Sequence, residues 1–214
     1  MTEKRLARLR GHFITFEGGE GSGKSTHAAT LAQRLKSLGL EVVLTREPGG
    51  TPLGERISDL LKWSKSVPLT PVAELLLFNA SRAQLVREVI EPALAQGQVV
   101  LCDRFHDSTV VYQGTGRKIS PETVAYINRI AVGNCIPDLT IVIDLDPRVG
   151  LERARGRELF DRMENQSLTF FQRVRKGYLE LVTRESARVK LIDGTQGIDT
   201  VEQLIWKLVS DVIQ

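Results

Sequence analysis

A glycine-rich segment containing one lysine and one serine carries the clearest chemistry in the chain. It runs from Gly18 to Ser25, matches G-x-x-x-x-G-K-[ST], and lies between a predicted strand and a predicted helix. In this arrangement backbone N–H groups and the helix dipole face a polyphosphate, the lysine reaches its β- and γ-phosphates, and the serine can bind Mg²⁺. The predicted phosphate-site residues are Gly18, Gly19, Glu20, Gly21, Ser22, Gly23, Lys24, Ser25 and Thr26.

Two further clusters could bind a second phosphate-bearing molecule. Arg46 follows the second predicted strand, at the carboxyl edge where ligands bind in doubly wound sheets. The apolar run before Asp103 places that carboxylate near a bound Mg²⁺, and Arg104 comes next, where its guanidinium could hold a phosphate between donor and acceptor. Each residue could instead be an ordinary turn or scaffold residue.

Two other segments could recognise a nucleotide base. Phe78 and Arg82 are four residues apart and share a helix face, so a ring could stack on a base while a guanidinium bonds its carbonyl. By spacing alone, a core phenylalanine beside a surface arginine is the favoured alternative. Ser108 and Tyr112 are one helical turn apart, and Gln113 offers an amide that could contact a base edge.

Short apolar runs alternate with helical patterns, which predicts an α/β fold with a parallel sheet. The predicted strands are residues 13–17, 41–45, 98–103, 139–145 and 189–193. Helices are predicted from Lys24 to Leu38, from Pro71 to about Ala95, from Pro121, from Pro147, and over residues 201–213. Pro92 is expected to kink the second helix or end it early.

The composition narrows the class of protein. The chain has 214 residues, of which 42% are hydrophobic and 26% charged, which is typical of one globular domain and unlike a disordered, collagen-like or coiled-coil chain. Two cysteines indicate a reducing compartment, and no apolar run approaches about 18 residues, so we expect a cytoplasmic protein without a membrane partner. A net charge of +3 is explained as well by small anionic substrates, so no nucleic-acid partner is expected.

The motifs together resemble bacterial thymidylate kinase. The resemblance rests on residues 16–26, residues 46–51, Asp103-Arg104-Phe105, Tyr112-Gln113-Gly114, and the stretches 153–164 and 170–179. It covers essentially the whole chain and keeps the order and spacing of the motifs. It implies a single kinase domain over residues 1–214, with a five-stranded parallel sheet flanked by helices, a short lid at about 153–165, and a homodimer. Residues 1–11 form an extension to which no function is assigned.

The same resemblance implies phosphoryl transfer from ATP to dTMP, giving dTDP and ADP, with Mg²⁺. It implies that Glu20 reaches the deoxyribose 3′-OH and that Arg46 and Arg104 bind the dTMP phosphate. Phe78 would stack on thymine, and Arg82 would bond its O4.

Other implied contacts complete both substrate sites. Ser108 and Gln113 would line the base pocket, and Tyr112 would occupy the space that a 2′-OH would need. Asp103, together with Ser25, would lie near Mg²⁺. Thr195 and Gln196 would border adenine.

The lid is expected to supply the cation that stabilises the transferring phosphoryl group. The phosphate loop has no charge beyond Lys24, whereas Arg153, Arg155 and Arg157 crowd the lid. The chain resembles the bacterial subgroup of the family, which lacks a basic residue in its phosphate loop and uses lid arginines instead. We predict Arg157 as the catalytic arginine and Arg153 as the second choice.

Two alternatives remain at this stage. A different phosphate-loop (deoxy)nucleoside or nucleotide kinase shares several motifs, although a kinase acting on a hydroxyl would want a carboxylate base. A nucleotide-binding switch without turnover would not need the acceptor-side clusters. No Asn-Lys-x-Asp motif for guanine is present.

Overall fold

Five short strands, all parallel, form one sheet at the centre of the molecule. The computed structural model describes residues 11–63, 68–155, 162–163 and 165–213. The strands are β1 (Phe13–Glu17), β2 (Val42–Arg46), β3 (Val99–Asp103), β4 (Leu139–Asp144) and β5 (Val189–Asp193), and their order is β2-β3-β1-β4-β5. The predicted α/β class and all five strands are confirmed, with β2 displaced by one residue toward the carboxyl end.

Helices connect the strands. They are α1 (Lys24–Ser37), α2 (Pro52–Trp63), α3 (Pro71–Leu85), α4 (Glu91–Ala95), α5 (His106–Thr109), α6 (Pro121–Val132), α7 (Pro147–Arg155), α8 (Leu168–Arg184) and α9 (Ile198–Ile213). Two π-helical segments extend this series, Val86–Ile90 between α3 and α4 and Val110–Gly116 after α5. Helix α2, the helical run from 106 to 116 and helix α8 were not predicted from periodicity.

The helix predicted from Pro71 to Ala95 exists, but it is divided. Thr70 caps its start, because its Oγ1 accepts a hydrogen bond from Ala73 N at 3.3 Å. The π-helical segment before Pro92 changes the hydrogen-bond pattern, so this proline falls in the first turn of a new helix, where no amide donor is needed. Ser120 caps α6 in the same way.

The three central strands, β3, β1 and β4, are buried on both faces, which explains why they are nearly continuous apolar runs. On one face, Ile14 and Leu101 pack in a cluster with Leu35 of α1 and Val209 of α9. On the other face, the segment around Leu85 packs against the sheet in a second apolar cluster. Within the described ranges, no helix is long and apolar enough to cross a membrane.

The register of the central strands brings three loops together at one edge. Phe16 and Arg46 both pair with Asp103 of β3. The carboxyl ends of β1, β2 and β3 therefore lie side by side, and the loops that follow them meet at the edge where ligands bind in such folds. The division into one kinase domain stays a prediction, and residues 1–10 lie outside the described part of the chain.

Candidate active site

A cavity of about 330 Å³ opens at this edge of the sheet. Most of the residues predicted to bind phosphate or nucleotide line it: Glu20, Gly21, Ser22, Gly23, Lys24, Ser25, Thr26, Arg46, Phe78, Asp103, Arg104, Ser108, Tyr112 and Gln113. Glu47, Pro48, Lys62, Thr109 and Met163 also line it and were not predicted. The motifs predicted for the donor side and those predicted for the acceptor side therefore line the same cavity.

The phosphate loop owes its shape to glycines and to a close backbone neighbour. Gly21 and Gly23 have φ values of 66° and 90°, a conformation that favours glycine. A Cβ atom at Gly21 would lie 2.1 Å from the carbonyl oxygen of Gly150 in α7. No side chain, basic or otherwise, fits at Gly21 without moving α7.

Lys24 folds back over the loop that precedes it. Its Nζ donates to the carbonyl of Gly19 at 2.7 Å and to Ser22 Oγ at 3.3 Å. Burial and the neighbouring Arg104 guanidinium lower the pKa of Lys24 to about 8, because both disfavour a second positive charge. The ammonium therefore lies against the loop predicted to bind phosphate, at the wall of the cavity.

Ser25 and Asp103 form an oxygen pair beside this lysine. The hydroxyl of Ser25, in the first turn of α1, donates to Asp103 Oδ2 at the end of β3. A hydroxyl and a carboxylate at one point of the cavity wall are the ligands that Mg²⁺ prefers. The two residues therefore fit the metal role predicted for them.

The guanidinium of Arg104 lies at the centre of the acceptor side. Arg104 has φ 69°, a strained backbone conformation outside glycine. Its Nη2 bonds Glu20 Oε1 at 2.8 Å, its Nη1 bonds the Gly18 carbonyl at 3.1 Å, and the hydroxyl of Tyr112 donates to the same Glu20 oxygen at 2.9 Å. Burial alone would raise the pKa of Glu20, but the charges of Arg104 and Lys24 outweigh it and lower that pKa.

A buried carboxylate that sequence reasoning missed holds the turn carrying Arg104. Glu17 Oε1 accepts from the backbone N–H of Phe105 at 2.8 Å and of Ser108 at 3.2 Å, and Oε2 accepts from the hydroxyls of Ser108 at 2.6 Å and Tyr178 at 2.7 Å. Burial and the charge of Asp107 raise the pKa of Glu17. The available signal was a glutamate ending an otherwise apolar strand.

Arg82 is not at the cavity wall. Its side chain is only 1% exposed and makes an ion pair with Glu47 at 2.6 Å, a bond to Thr109 Oγ1 at 2.8 Å and one to the Phe105 carbonyl at 3.1 Å. Asn79 and Asn128 accept its remaining N–H groups. The geometry makes Arg82 a buried tie between α3, the loop after β2 and α5, rather than an exposed partner of Phe78.

Arg46, in contrast, remains half exposed at the cavity. Its guanidinium pairs with Glu55 at 2.7 Å and bonds the Pro48 carbonyl at 2.8 Å. The side chain of Glu55 is about half exposed too, so solvent and anions can reach the pair. Phe78 is half-buried at the same cavity.

The remaining predicted residues lie away from the cavity or outside the described chain. Thr195 is exposed and donates to Asp193 at 2.7 Å, and Gln196 is exposed beside it. Arg153 is exposed on α7 and bonds the Gly194 carbonyl at 3.4 Å, next to that turn. Arg157 lies outside the described residues, as does the side chain of Arg155.

Comparison with known proteins places this chain in a family. The profile of the Thymidylate kinase family matches residues 16–205. The chain belongs to the thymidylate kinase family. It is 48% identical to the thymidylate kinase of Deinococcus radiodurans over 202 residues, which cover 94% of this chain and 98% of that protein. It is 47% identical to the thymidylate kinase of Pseudomonas putida strain GB-1 over 206 residues, covering 96% and 98%.

A solved structure supports the same assignment. The thymidylate kinase of Ehrlichia chaffeensis superposes with a TM-score of 0.76 at 34% identity, covering 94% of this chain and 99% of that one. The chain is therefore an enzyme that phosphorylates dTMP to dTDP. The cavity at the carboxyl edge of the sheet is the candidate site of this thymidylate kinase activity.

Proposed function

We propose that the kinase transfers the γ-phosphoryl group of ATP to dTMP within this one cavity, with Mg²⁺ beside the donor phosphates. The observation that carries the proposal is that the phosphate loop and two arginines from the ends of β2 and β3 line the same cavity. Phosphoryl transfer needs two phosphates held in line and their charge neutralised, with little covalent help from the protein.

On the donor side, the loop N–H groups and Lys24 bind the β- and γ-phosphates of ATP. Ser25 and Asp103 would hold Mg²⁺, which binds through one or two protein oxygens and keeps its other positions for phosphate and water. When bound, the ion neutralises charge on the β- and γ-oxygens. Thr195 and Gln196, in the turn after β5, border the adenine.

On the acceptor side, Arg46 and Arg104 bind the phosphate of dTMP, and Phe78 stacks on thymine. This phosphate is largely ionised near pH 7, so no general base is needed. Glu20 contacts the deoxyribose 3′-OH, because its carboxylate is held ionised at the cavity wall by Arg104. Tyr112 excludes a 2′-OH from the space beside it.

Ser108 and Gln113 line the base pocket. Both face the cavity, and both are held from behind, Ser108 by Glu17 and Gln113 by Glu74. The contact of Arg82 with thymine O4, predicted from the sequence, gains no support from the buried position of its guanidinium.

The lid supplies the arginine that stabilises the transferring group, with Arg157 the first choice and Arg153 the second. Support comes from the phosphate loop, where the closeness of Gly150 leaves no space for a basic side chain at position 21. Such an arginine contributes about 10³ to 10⁵ in kcat in GTPases.

Alanine variants at 153, 155 and 157 test the lid assignment side by side. Arg157→Ala should lower kcat strongly and change KM for dTMP little, since a lid residue acts chiefly in the closed transition state. Three equal and small effects would remove the lid arginine from the mechanism, and a large loss at Arg153 alone would move the role there.

The enzyme is also proposed to act as a homodimer in the cytoplasm. Support for the dimer comes from exposed apolar side chains on two helices that pack together, Val72 and Leu76 on α3 and Tyr126 and Ile130 on α6. Leu76→Glu should give a monomer in sedimentation experiments, whereas the matched control Leu38→Glu, at an exposed leucine directly after α1, should not.

A substrate panel tests the reaction itself. Purified enzyme with ATP and Mg²⁺ should release ADP with dTMP and not with thymidine. Turnover of thymidine in place of dTMP would indicate a deoxynucleoside kinase. Stoichiometric nucleotide binding without ADP release would indicate a switch protein.

A further inference from the structure

A buried glutamate lies directly behind the proposed base pocket. Glu74, in the first turn of α3, is 1% exposed, and its Oε1 accepts a hydrogen bond from Gln113 Nε2 at 2.8 Å. Two arginines hold the same carboxylate. Arg117 bonds it through Nε and Nη2, each at 3.1 Å, and Arg162 Nη1 lies 2.8 Å from Oε2.

These neighbours keep the carboxylate charged. Burial alone would raise the pKa of Glu74, but the hydrogen bonds from Arg117 and Gln113 outweigh it and lower that pKa. An ionised carboxylate has only acceptor oxygens. The Gln113 amide can therefore contact Glu74 only through its NH₂ group, which is a donor.

The charge fixes which way the amide of Gln113 points. If the amide were reversed, its oxygen would face the carboxylate oxygen and two acceptors would meet. With Nε2 held by Glu74, Oε1 is the amide atom left for a ligand, and among the described residues it has no hydrogen-bond partner. Gln113 lines the cavity while being 1% exposed overall.

We infer that Glu74 is a positioning residue that makes the enzyme select pyrimidines carrying an N3–H donor. By holding the Gln113 amide in one orientation, it presents an acceptor to the base. Thymine and uracil have a hydrogen on N3 and can donate to this oxygen. Cytosine has an unprotonated N3, so the same oxygen would meet a second acceptor. The inference rests on the proposed place of Gln113 in the base pocket.

The variant Glu74→Gln should reverse the orientation of the Gln113 amide with almost no change in the shape of the side chain at position 74. Two guanidinium nitrogens, Arg117 Nη2 and Arg162 Nη1, face Oε2, whereas Gln113 Nε2 and Arg117 Nε face Oε1. The oxygen of the new amide therefore takes the Oε2 position, where it serves two donors, and the NH₂ group takes the Oε1 position, where Arg117 Nε loses its acceptor and Gln113 must turn to offer one. The Gln113 amide then turns, and an N–H donor points at the base. The ratio of kcat/KM for dTMP to that for dCMP should fall about tenfold or more, because mispairing a buried polar group is costly.

A second acceptor separates this effect from a general loosening of the site. dUMP carries the same N3–H as dTMP and lacks only the methyl group, so the dTMP-to-dUMP ratio should stay unchanged in Glu74→Gln. A disordered pocket would change both ratios. Glu122→Gln, which removes an exposed glutamate from α6, should change neither.

Two further variants keep the test decisive. Glu74→Asp retains the charge for the arginines but draws the carboxylate back from Gln113, so the dTMP-to-dCMP ratio should fall by a smaller factor. Gln113→Ala tests the underlying role, since it should lower the same ratio if Gln113 contacts the base.

The outcomes are distinguishable. If Gln113→Ala leaves the ratio unchanged, the proposed base contact fails, and the inference fails with it. If Gln113→Ala lowers the ratio while Glu74→Gln and Glu74→Asp do not, the base contact stands and the positioning role of Glu74 is overturned. If Glu74→Gln does not fold, an unchanged ratio in Glu74→Asp overturns it alone.

Discussion

Replacing Arg82 by methionine should destabilise the protein severely, because it leaves a buried carboxylate without its partner. The Arg82 and Glu47 side chains are 1% and 3% exposed and lie 2.6 Å apart. Removing one member of a buried, hydrogen-bonded ion pair costs about 3–5 kcal/mol. For a chain of this size that corresponds to a fall in Tm of about 6–20 °C.

The loss should also depend on pH. Burial already raises the pKa of Glu47 to about 7, against the opposing charge of Arg82. Without Arg82 this pKa rises further, so the folded variant binds a proton that the unfolded chain, near 4.5, has released. Stability then falls as pH rises through this range, and the deficit relative to wild type should grow above pH 7.

Thermal unfolding without nucleotide, at pH 6 and pH 8.5, measures both effects. The double variant Arg82→Met/Glu47→Gln should recover much of the loss, because no unpaired charge stays buried. Arg87→Met removes an exposed arginine that pairs with Glu91 and should cost less than about 1 kcal/mol. A loss below about 1 kcal/mol in Arg82→Met, or no recovery in the double variant, would refute the reasoning. An unchanged Tm with a raised KM for dTMP would instead favour the base contact predicted from the sequence.

The remaining predictions concern Lys24 and Tyr112. Lys24→Ala should lower kcat by about 10² or more in steady-state assays while leaving the circular dichroism spectrum unchanged; near wild-type turnover would exclude the phosphate role. The pKa of Lys24 is about 8 in the folded chain and about 10.5 when unfolded, so kcat/KM for ATP should fall as pH rises through 8. Between pH 8 and 10.5 the unfolded chain holds this proton and the folded chain does not, so the contribution of Lys24 to the free energy of unfolding of the free enzyme should rise with pH. A flat kcat/KM profile from pH 7 to 9.5 would contradict the first effect. Tyr112→Ala should raise the ratio of kcat/KM for ribonucleoside to deoxyribonucleoside monophosphates, and an unchanged ratio would show that the tyrosine does not exclude the 2′-OH.

The central strands were predictable because burial on both sheet faces demands uninterrupted apolar runs. Helix α2 was missed although its signals are present, with Pro52 at the start and Ile57 and Leu61 on one face. Gly49 and Gly50, just before this helix, are typical of a turn and so favour a loop at this point of the sequence. The segment Val110–Gly116 could not be found by periodicity, since a π-helical turn departs from the repeat of 3.6 residues.

The site was predictable where its residues cluster in the sequence and not where they meet only through folding. The phosphate loop and the pair Asp103-Arg104 are contiguous, so their types and spacing were sufficient. Glu17 meets Tyr178 across 161 positions, and Glu74 meets Arg162 from another region of the chain. No local pattern reports such partners, because packing of distant helices decides which donor faces a buried carboxylate.

The three arginines predicted to contact dTMP differ in how many of their N–H groups already have a protein acceptor. A guanidinium has five N–H groups in one plane. In Arg82 all of them are directed at protein acceptors, because Nε and both terminal nitrogens bond Glu47, Thr109 and other buried oxygens. Arg46 and Arg104 each bond a carboxylate through Nη2 and a carbonyl through Nη1, and among the described residues the Nε of each has no acceptor. Their carboxylate partners hold the planar groups in place while leaving N–H groups for a phosphate. The free N–H groups therefore support the proposed binding of the dTMP phosphate by Arg46 and Arg104, whereas the complete set of protein acceptors around Arg82 gives no such support to its predicted contact with thymine O4, which stays a prediction.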